Sequence, residues 1–168
     1  MYKYFYPDMY SLSIYDIPYH SLRSSGIKHL LFDADNTVCA VGVSEPGVET
    51  AFFFCKLRDM GFNICILSNG KADRVARFAK ALDVPFVAKA KKPLKRGANL
   101  ALAALGAGAS ETAVIGDQIF TDIWCGKRHK CYTVLVKPIS DAEEWYIKLK
   151  RFFETFVLNE YERTGRAR

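Results

Sequence analysis

Lys28-His-Leu-Leu-Phe32-Asp33-Ala-Asp35-Asn-Thr37 is the stretch on which the fold turns. An apolar run, Lys28 to Phe32, reads as a buried strand, and it stops on two acids separated by one residue. The same pattern recurs downstream. Phe62-Asn-Ile-Cys-Ile-Leu67 ends in Ser68-Asn69-Gly70, and Pro85-Phe-Val-Ala88 runs into Lys89-Ala-Lys-Lys92-Pro93. Thr112-Ala-Val-Ile115 ends in Gly116-Asp117-Gln-Ile-Phe-Thr-Asp122, and Tyr132-Thr-Val-Leu-Val136 is closed by Pro138. Between these runs lie helical patterns over Gly47 to Met60, Ala72 to Leu82, Leu94 to Leu105 and Phe120 to Lys127. Strands and helices alternating at these lengths predict a three-layer α/β sandwich, a five-stranded parallel sheet with helices on both faces. In such sheets ligands bind beyond the carboxyl ends of the strands, where the polar residues collect.

Those polar residues suit phosphoryl transfer through a carboxylate nucleophile. Two aspartates one residue apart at a strand end can face the same way, so that Asp33 attacks phosphorus while Asp35 protonates the leaving oxygen and later activates water. Carboxylates crowded against a phosphate repel it, so the site needs a cation. Magnesium takes oxygen ligands, available from Asp33, Asp117 and the backbone at Asp35, with Asp122 either ligating or orienting. Ser68 and Lys92 are placed to contact the phosphoryl oxygens that gain charge in the transition state. Each piece alone has a plainer reading: a strand-end Asp-x-Asp is also turn chemistry, and Lys-Pro in a basic run is also a solvated loop. Their joint occurrence, in order, on successive strands favours a site.

The 168 residues are half apolar and a quarter charged, which excludes a disordered tail, a fibre and a small disulfide scaffold. Five cysteines without paired spacing read as reduced thiols. None has an arginine six positions on, which excludes a cysteine-nucleophile phosphatase. Met1 to Pro7 holds no apolar core and Asp8 follows, so no signal peptide is expected. The expected location is the cytoplasm, with the inner face of the membrane as a peripheral site. One domain is predicted over 1–168, with an N-terminal aromatic extension over 1–26, a core over 27–137 and a C-terminal helix over 138–168.

At this point the residues resemble a known family. Phe32-Asp33-Ala-Asp35-Asn36-Thr37, Leu67-Ser68-Asn69, Lys92-Pro93 and Gly116-Asp117-Gln118-Ile-Phe-Thr121-Asp122 are similar to the four motifs of the haloacid dehalogenase superfamily of phosphohydrolases. The Gly-Asp-Gln-x-Phe-Thr-Asp string, Pro7-Asp8 followed by Ile14-Tyr15, and Gly26-Ile27-Lys28 resemble the YqeG-like branch of its subfamily IIIA. The resemblance implies a Rossmann-like fold and a magnesium-dependent phosphatase with an aspartyl-phosphate intermediate. It implies catalytic roles for Asp33, Asp35, Ser68 and Lys92, substrate contacts from Thr37, Asn69, Gly70 and Lys92, and metal binding by Asp33, Asp35, Asp117 and Asp122. Fungal mitochondrial members of this branch are phosphatidylglycerophosphate phosphatases, which makes that lipid the implied substrate. The chain departs from the branch at Ala34, at Gly70, and at Lys127 and Lys130, where Asn and Gly are usual.

Spacing and charge bear on the substrate. Thr37 to Ser68 is 31 residues and Ser68 to Lys92 is 24, each filled by one helix and one strand, so no cap domain is predicted. An open site suits a bulky phosphomonoester: a lipid headgroup, a phosphoprotein or a nucleic-acid end. Between Lys71 and Gly97 stand nine Lys or Arg against two Asp, in a chain whose net charge is +6. Such a rim attracts anionic substrate or an anionic membrane surface, although a solvated helix face accounts for part of it. Tyr2, Tyr4, Phe5, Tyr6 and Tyr10 crowd the start of the chain, and Trp145, Leu149, Phe152, Phe153, Phe156 and Val157 recur at helical spacing near its end. Both segments fit a membrane interface, a second subunit or the domain's own core. The competing readings are the same hydrolysis on a nucleotide, sugar or protein phosphate, and a non-catalytic module holding an anion or RNA. No specific nucleic acid partner is expected, and oligomerisation is left open.

Overall fold

A computed structural model describes residues 3–140, 154–161 and 163. A 3-10 turn over Lys3–Phe5 leads into β1 (Met9–Ser11), a second 3-10 turn and α1 (Tyr19–Ser24). There follow β2 (His29–Phe32), α2 (Val48–Asp59), β3 (Asn63–Leu67), α3 (Ala72–Ala81), β4 (Phe86–Val87), α4 (Lys95–Leu105), β5 (Thr112–Gly116), α5 (Trp124–His129) and β6 (Tyr132–Val136). The sheet order is β1-β6-β5-β2-β3-β4, and every pairing is parallel.

The sheet therefore has six strands rather than the predicted five. The additional strand is β1, where Met9, Tyr10 and Ser11 pair with Val134, Leu135 and Val136. Three residues are too few to show a period of two, and this strand is held by its neighbour rather than by its own pattern. Asp8 secures its entry, with its carboxylate accepting from the Thr133 backbone N–H and hydroxyl, each at 2.8 Å. The chain before residue 27 is consequently built into the fold: Ile14, Ile17, Tyr19 and Leu22 are buried in the main core. Phe5 meets Phe120 and Trp124 edge-on, and Tyr6 packs tilted against Tyr161.

The strands divide their side chains between two cores, as a period of two requires. Leu30, Phe32, Ile64, Ile66, Ala113 and Ile115 face the side covered by α1, α2 and α3. Leu31, Cys65, Leu67 and Val114 face the side covered by α4 and α5. Residues 154–161 are helical and bury Val157 and Tyr161 against Ile119, Ile123 and Leu135. Residues 138–140 of the predicted C-terminal helix are not helical, and 141–153, with Trp145, Leu149, Phe152 and Phe153, lie outside the described residues, as does Tyr2.

The helix predicted from Phe120 is shifted. Ile119–Ile123 forms a wide π turn, and α5 begins only at Trp124. At its end Lys130 adopts a left-handed conformation, φ 61°. A side chain there costs about 1 kcal/mol relative to Gly. Among the described residues, the intervals Thr37 to Ser68 and Ser68 to Lys92 hold only α2 with β3 and α3 with β4, so no cap lies in either.

Candidate active site

β2 lies between β3 and β5, where the chain's connections diverge to opposite halves of the sheet. Phe32 is level with both Ile66 and Ile115, so the residues just past it emerge beside the ends of β3 and β5. The Asp33 backbone N–H donates to the Ile115 carbonyl at 2.9 Å and locks that alignment. This is the topological switch point at which α/β sheets bind ligands.

Asp33, Asp117 and Asp122 are all buried here, and each offers a carboxylate oxygen within 4.8 Å of the others. Lys92 enters the cluster from the loop after β4. Its Nζ donates to Asp33 Oδ1 at 2.7 Å and to Asp122 Oδ1 at 2.6 Å, leaving a third N–H for another acceptor. Gly116 is required for this packing, since a Cβ there would stand 2.4 Å from the Asp122 carboxyl carbon. The π turn brings Asp122 back over β5, where its other oxygen accepts from the Gln118 backbone N–H at 3.1 Å.

Three carboxylates face one ammonium in a desolvated pocket. Burial pushes the Asp33 carboxyl well above its ordinary range, to about 8; Lys92 opposes the shift, and Asp122 and Asp117 add to it. For Lys92, burial alone acts downward, but the Asp122 and Asp33 carboxylates outweigh it and raise the value above that of an ordinary lysine. The surplus negative charge and the all-oxygen donor set fit a hard divalent cation. Asp33, Asp117 and Asp122 are the side chains that would hold it.

The other predicted site residues divide by function. The Thr37 hydroxyl donates to Asp117 Oδ1 at 3.0 Å, so its side chain orients a carboxylate. Asn69 clamps the backbone of Lys92, accepting from its N–H at 2.8 Å and donating to its carbonyl at 3.4 Å. Ser68 is buried; its Oγ accepts from the Gly70 N–H at 3.0 Å, and its own O–H is left to donate. Asp35 is not among the three clustered carboxylates. Arg74 and the Gly42 N–H hold its side chain instead, so the structure does not bring the expected metal ligand Asp35 into that cluster.

Arg74, one of the nine cations between Lys71 and Gly97, has a role that its place in that basic run does not reveal. It lies in α3, pairs with Asp35, and donates to the Val43 carbonyl at 2.9 Å. Gly70 makes room for it, since a Cβ there would meet its guanidinium at 2.4 Å. Glu154 was also missed; it is buried and accepts from the Phe120 N–H at 3.1 Å, tying the C-terminal helical segment to the π turn. Nothing in its local sequence announces that contact, which spans 34 residues. The five cysteines are free thiols, and burial pushes Cys39, Cys65 and Cys131 up to about 12, far from a nucleophile's range.

A family model for haloacid dehalogenase-like hydrolases matches residues 46–130, which contain Ser68, Lys92, Asp117 and Asp122. The chain belongs to that family. It is a hydrolase, and named relatives are phosphatases. The Bacillus subtilis (strain 168) protein "Probable phosphatase YqeG" is 29% identical over 97% of this chain and 95% of its own. "Phosphatidylglycerophosphate phosphatase 1, chloroplastic" of Chlamydomonas reinhardtii is 29% identical over 89% of this chain, which spans 60% of that longer protein. Among solved structures, the cobalt-bound deoxy-D-mannose-octulosonate 8-phosphate phosphatase of Haemophilus influenzae superposes with a TM-score of 0.54. It covers 68% of this chain and 70% of its own at 19% identity, a likeness of fold alone.

Proposed function

We propose that this hydrolase is a magnesium-dependent phosphatase acting on a lipid phosphomonoester of the phosphatidylglycerophosphate kind, through an aspartyl-phosphate formed on Asp33. The observation that carries the reading is the buried meeting of Asp33, Lys92, Asp117 and Asp122 at the end of β2. The lipid substrate is supported by the name of the Chlamydomonas relative and by the absence of a cap in either interval among the described residues.

In the first half-reaction an Asp33 carboxylate oxygen bonds to phosphorus as the bond to the leaving oxygen breaks. Asp35 supplies the proton that the leaving alkoxide takes up. Lys92 holds Asp33 in place through one N–H and turns its remaining donor to a phosphoryl oxygen, joined by the Ser68 hydroxyl. In the second half-reaction Asp35, now a carboxylate, takes a proton from water, which attacks phosphorus and releases Asp33 with inorganic phosphate. Asp33, Asp117 and Asp122 would hold a magnesium ion, which would supply positive charge against the phosphoryl oxygens. The burial of the cluster strengthens every one of these contacts by excluding water.

The deciding experiment is a panel of phosphorylated lipids, nucleotides, sugars and peptides, assayed with magnesium and with a chelator. The expected result is magnesium-dependent phosphate release, fastest on the lipid. Faster turnover of a soluble phosphomonoester would overturn the lipid assignment and keep the chemistry; no phosphate release from any member would overturn both.

A further inference from the structure

Because all six strands are parallel, every loop that follows a strand emerges at one edge of the sheet, the edge where the carboxylate cluster opens. Four apolar side chains in those loops are more than half exposed: Leu12 after β1, Val41 after β2, Leu94 after β4 and Ile139 after β6. Four exposed lysines stand among them: Lys71 after β3, Lys89 and Lys91 after β4, and Lys137 after β6. The loop after β4 is built to show this pattern. Ala90 and Lys92 are buried while Lys89 and Lys91, both left-handed at φ 46° and 53°, stay outside. Among the described residues, the opposing exposed acids in these loops are Glu45 and Asp16, and Asp16 is engaged by the Ser13 hydroxyl at 2.6 Å.

From this arrangement we infer that the carboxyl edge of the sheet is a docking face for an anionic lipid bilayer. The inference rests on the lipid-phosphate reading of the site and adds the surface that brings the site to its substrate. Apolar and cationic side chains stand on both sides of the cluster, Leu12, Lys137 and Ile139 after β1 and β6, and Lys71, Lys89, Lys91 and Leu94 after β3 and β4. A trough of about 310 Å³ runs beneath Leu12 and Ile139 and is also lined by Tyr15, Val38, Lys137 and Thr37. Thr37 in turn holds Asp117, so apolar matter seated in the trough lies next to the catalytic cluster. Insertion of the apolar side chains and attraction of the lysines act together, the combination that holds a protein on a membrane surface without spanning it. A bilayer, rather than a second protein, is favoured because a surplus of lysines matches a diffuse negative surface and needs no matching set of partner carboxylates.

The test sediments the full chain with vesicles of phosphatidylcholine alone and of phosphatidylcholine with phosphatidylserine, an anionic lipid without a terminal phosphomonoester. Association with the anionic vesicles is expected, weakened about tenfold in Leu12→Asp/Ile139→Asp. Lys89→Ala is expected to weaken it about fivefold. Both variants should retain parental turnover of soluble p-nitrophenyl phosphate, which also shows that they fold. Absence of association with either vesicle, or association that the double variant leaves intact, overturns the docking face. So does a dimer that Leu12→Asp/Ile139→Asp disperses in the absence of any vesicle binding. If the chain binds the vesicles but leaves a lipid phosphomonoester in detergent micelles untouched, the docking face stands and the lipid-phosphatase reading falls.

Discussion

Asp33 and Asp35 are two residues apart and live in opposite surroundings. Asp33 is buried, shares Lys92 with Asp122, and sits beside a third carboxylate. Asp35 is half-buried at the rim, where Arg74 from α3 and the Gly42 N–H hold it. The chain therefore delivers two carboxyl groups to two electrostatic settings, one buried among other carboxylates and the other paired near solvent. The proposed chemistry asks for an ionised Asp33, and burial among carboxylates opposes that, so a cation beyond Lys92 is needed to offset the surplus negative charge around it.

The comparison can be broken most sharply at Asp33. Asp33→Asn is expected to cost about 10⁴-fold or more in phosphate release, as nucleophile removal does. Its circular dichroism should remain parental and its melting temperature in chelator should not fall. Activity near the parental level would remove Asp33 from the mechanism.

Asp35→Asn should cost about 10²- to 10³-fold on an alkyl phosphate, the scale of general acid–base catalysis. The loss should be much smaller on p-nitrophenyl phosphate, whose leaving group needs no proton. Equal losses on both substrates would mean that Asp35 is not the acid.

The two cations sharpen the contrast through stability. Lys92→Met leaves the buried carboxylates without their ammonium and should destabilise the chelated protein by about 3–5 kcal/mol in urea denaturation. Arg74→Met breaks a pair nearer solvent and should cost about 1 kcal/mol or less. Similar costs would contradict the difference in burial.

The smallest effect is in pH dependence. The folded-state pKa of Asp33, about 8, lies above its ordinary 3.8, so protonation of this group favours the fold. That contribution is complete below the ordinary value and is lost as pH rises toward 8. Magnesium competes with the proton, so the rise in melting temperature on adding it should grow from pH 6 to pH 8. Asp33→Asn should flatten that trend, and a magnesium effect independent of pH would show that the metal does not meet Asp33.

Much of the fold is legible in the order of residues. The alternation of Leu30, Leu31 and Phe32 between two cores, and the polar residues stopping each apolar run, follow from the strand's period of two and from the burial of a sheet on both faces. The first strand, Met9–Ser11, is not legible there, because three residues show no period and the pairing partner is more than a hundred residues away. Arg74 is hidden among rim cations, since a run of charges does not say which member turns inward. The wide turn at Ile119–Ile123 is hidden because apolar spacing there suits an ordinary helix as well.

By itself the order of residues determined that this chain makes a parallel α/β sheet with carboxylates, a hydroxyl and an amine at its strand ends, because hydrophobic periodicity and turn chemistry are local. Only the tertiary structure decided how those groups divide. Which acid shares Lys92 and which meets Arg74, which polar side chains serve as clamps, and which loop residues face outward depend on register and packing between elements distant in the chain.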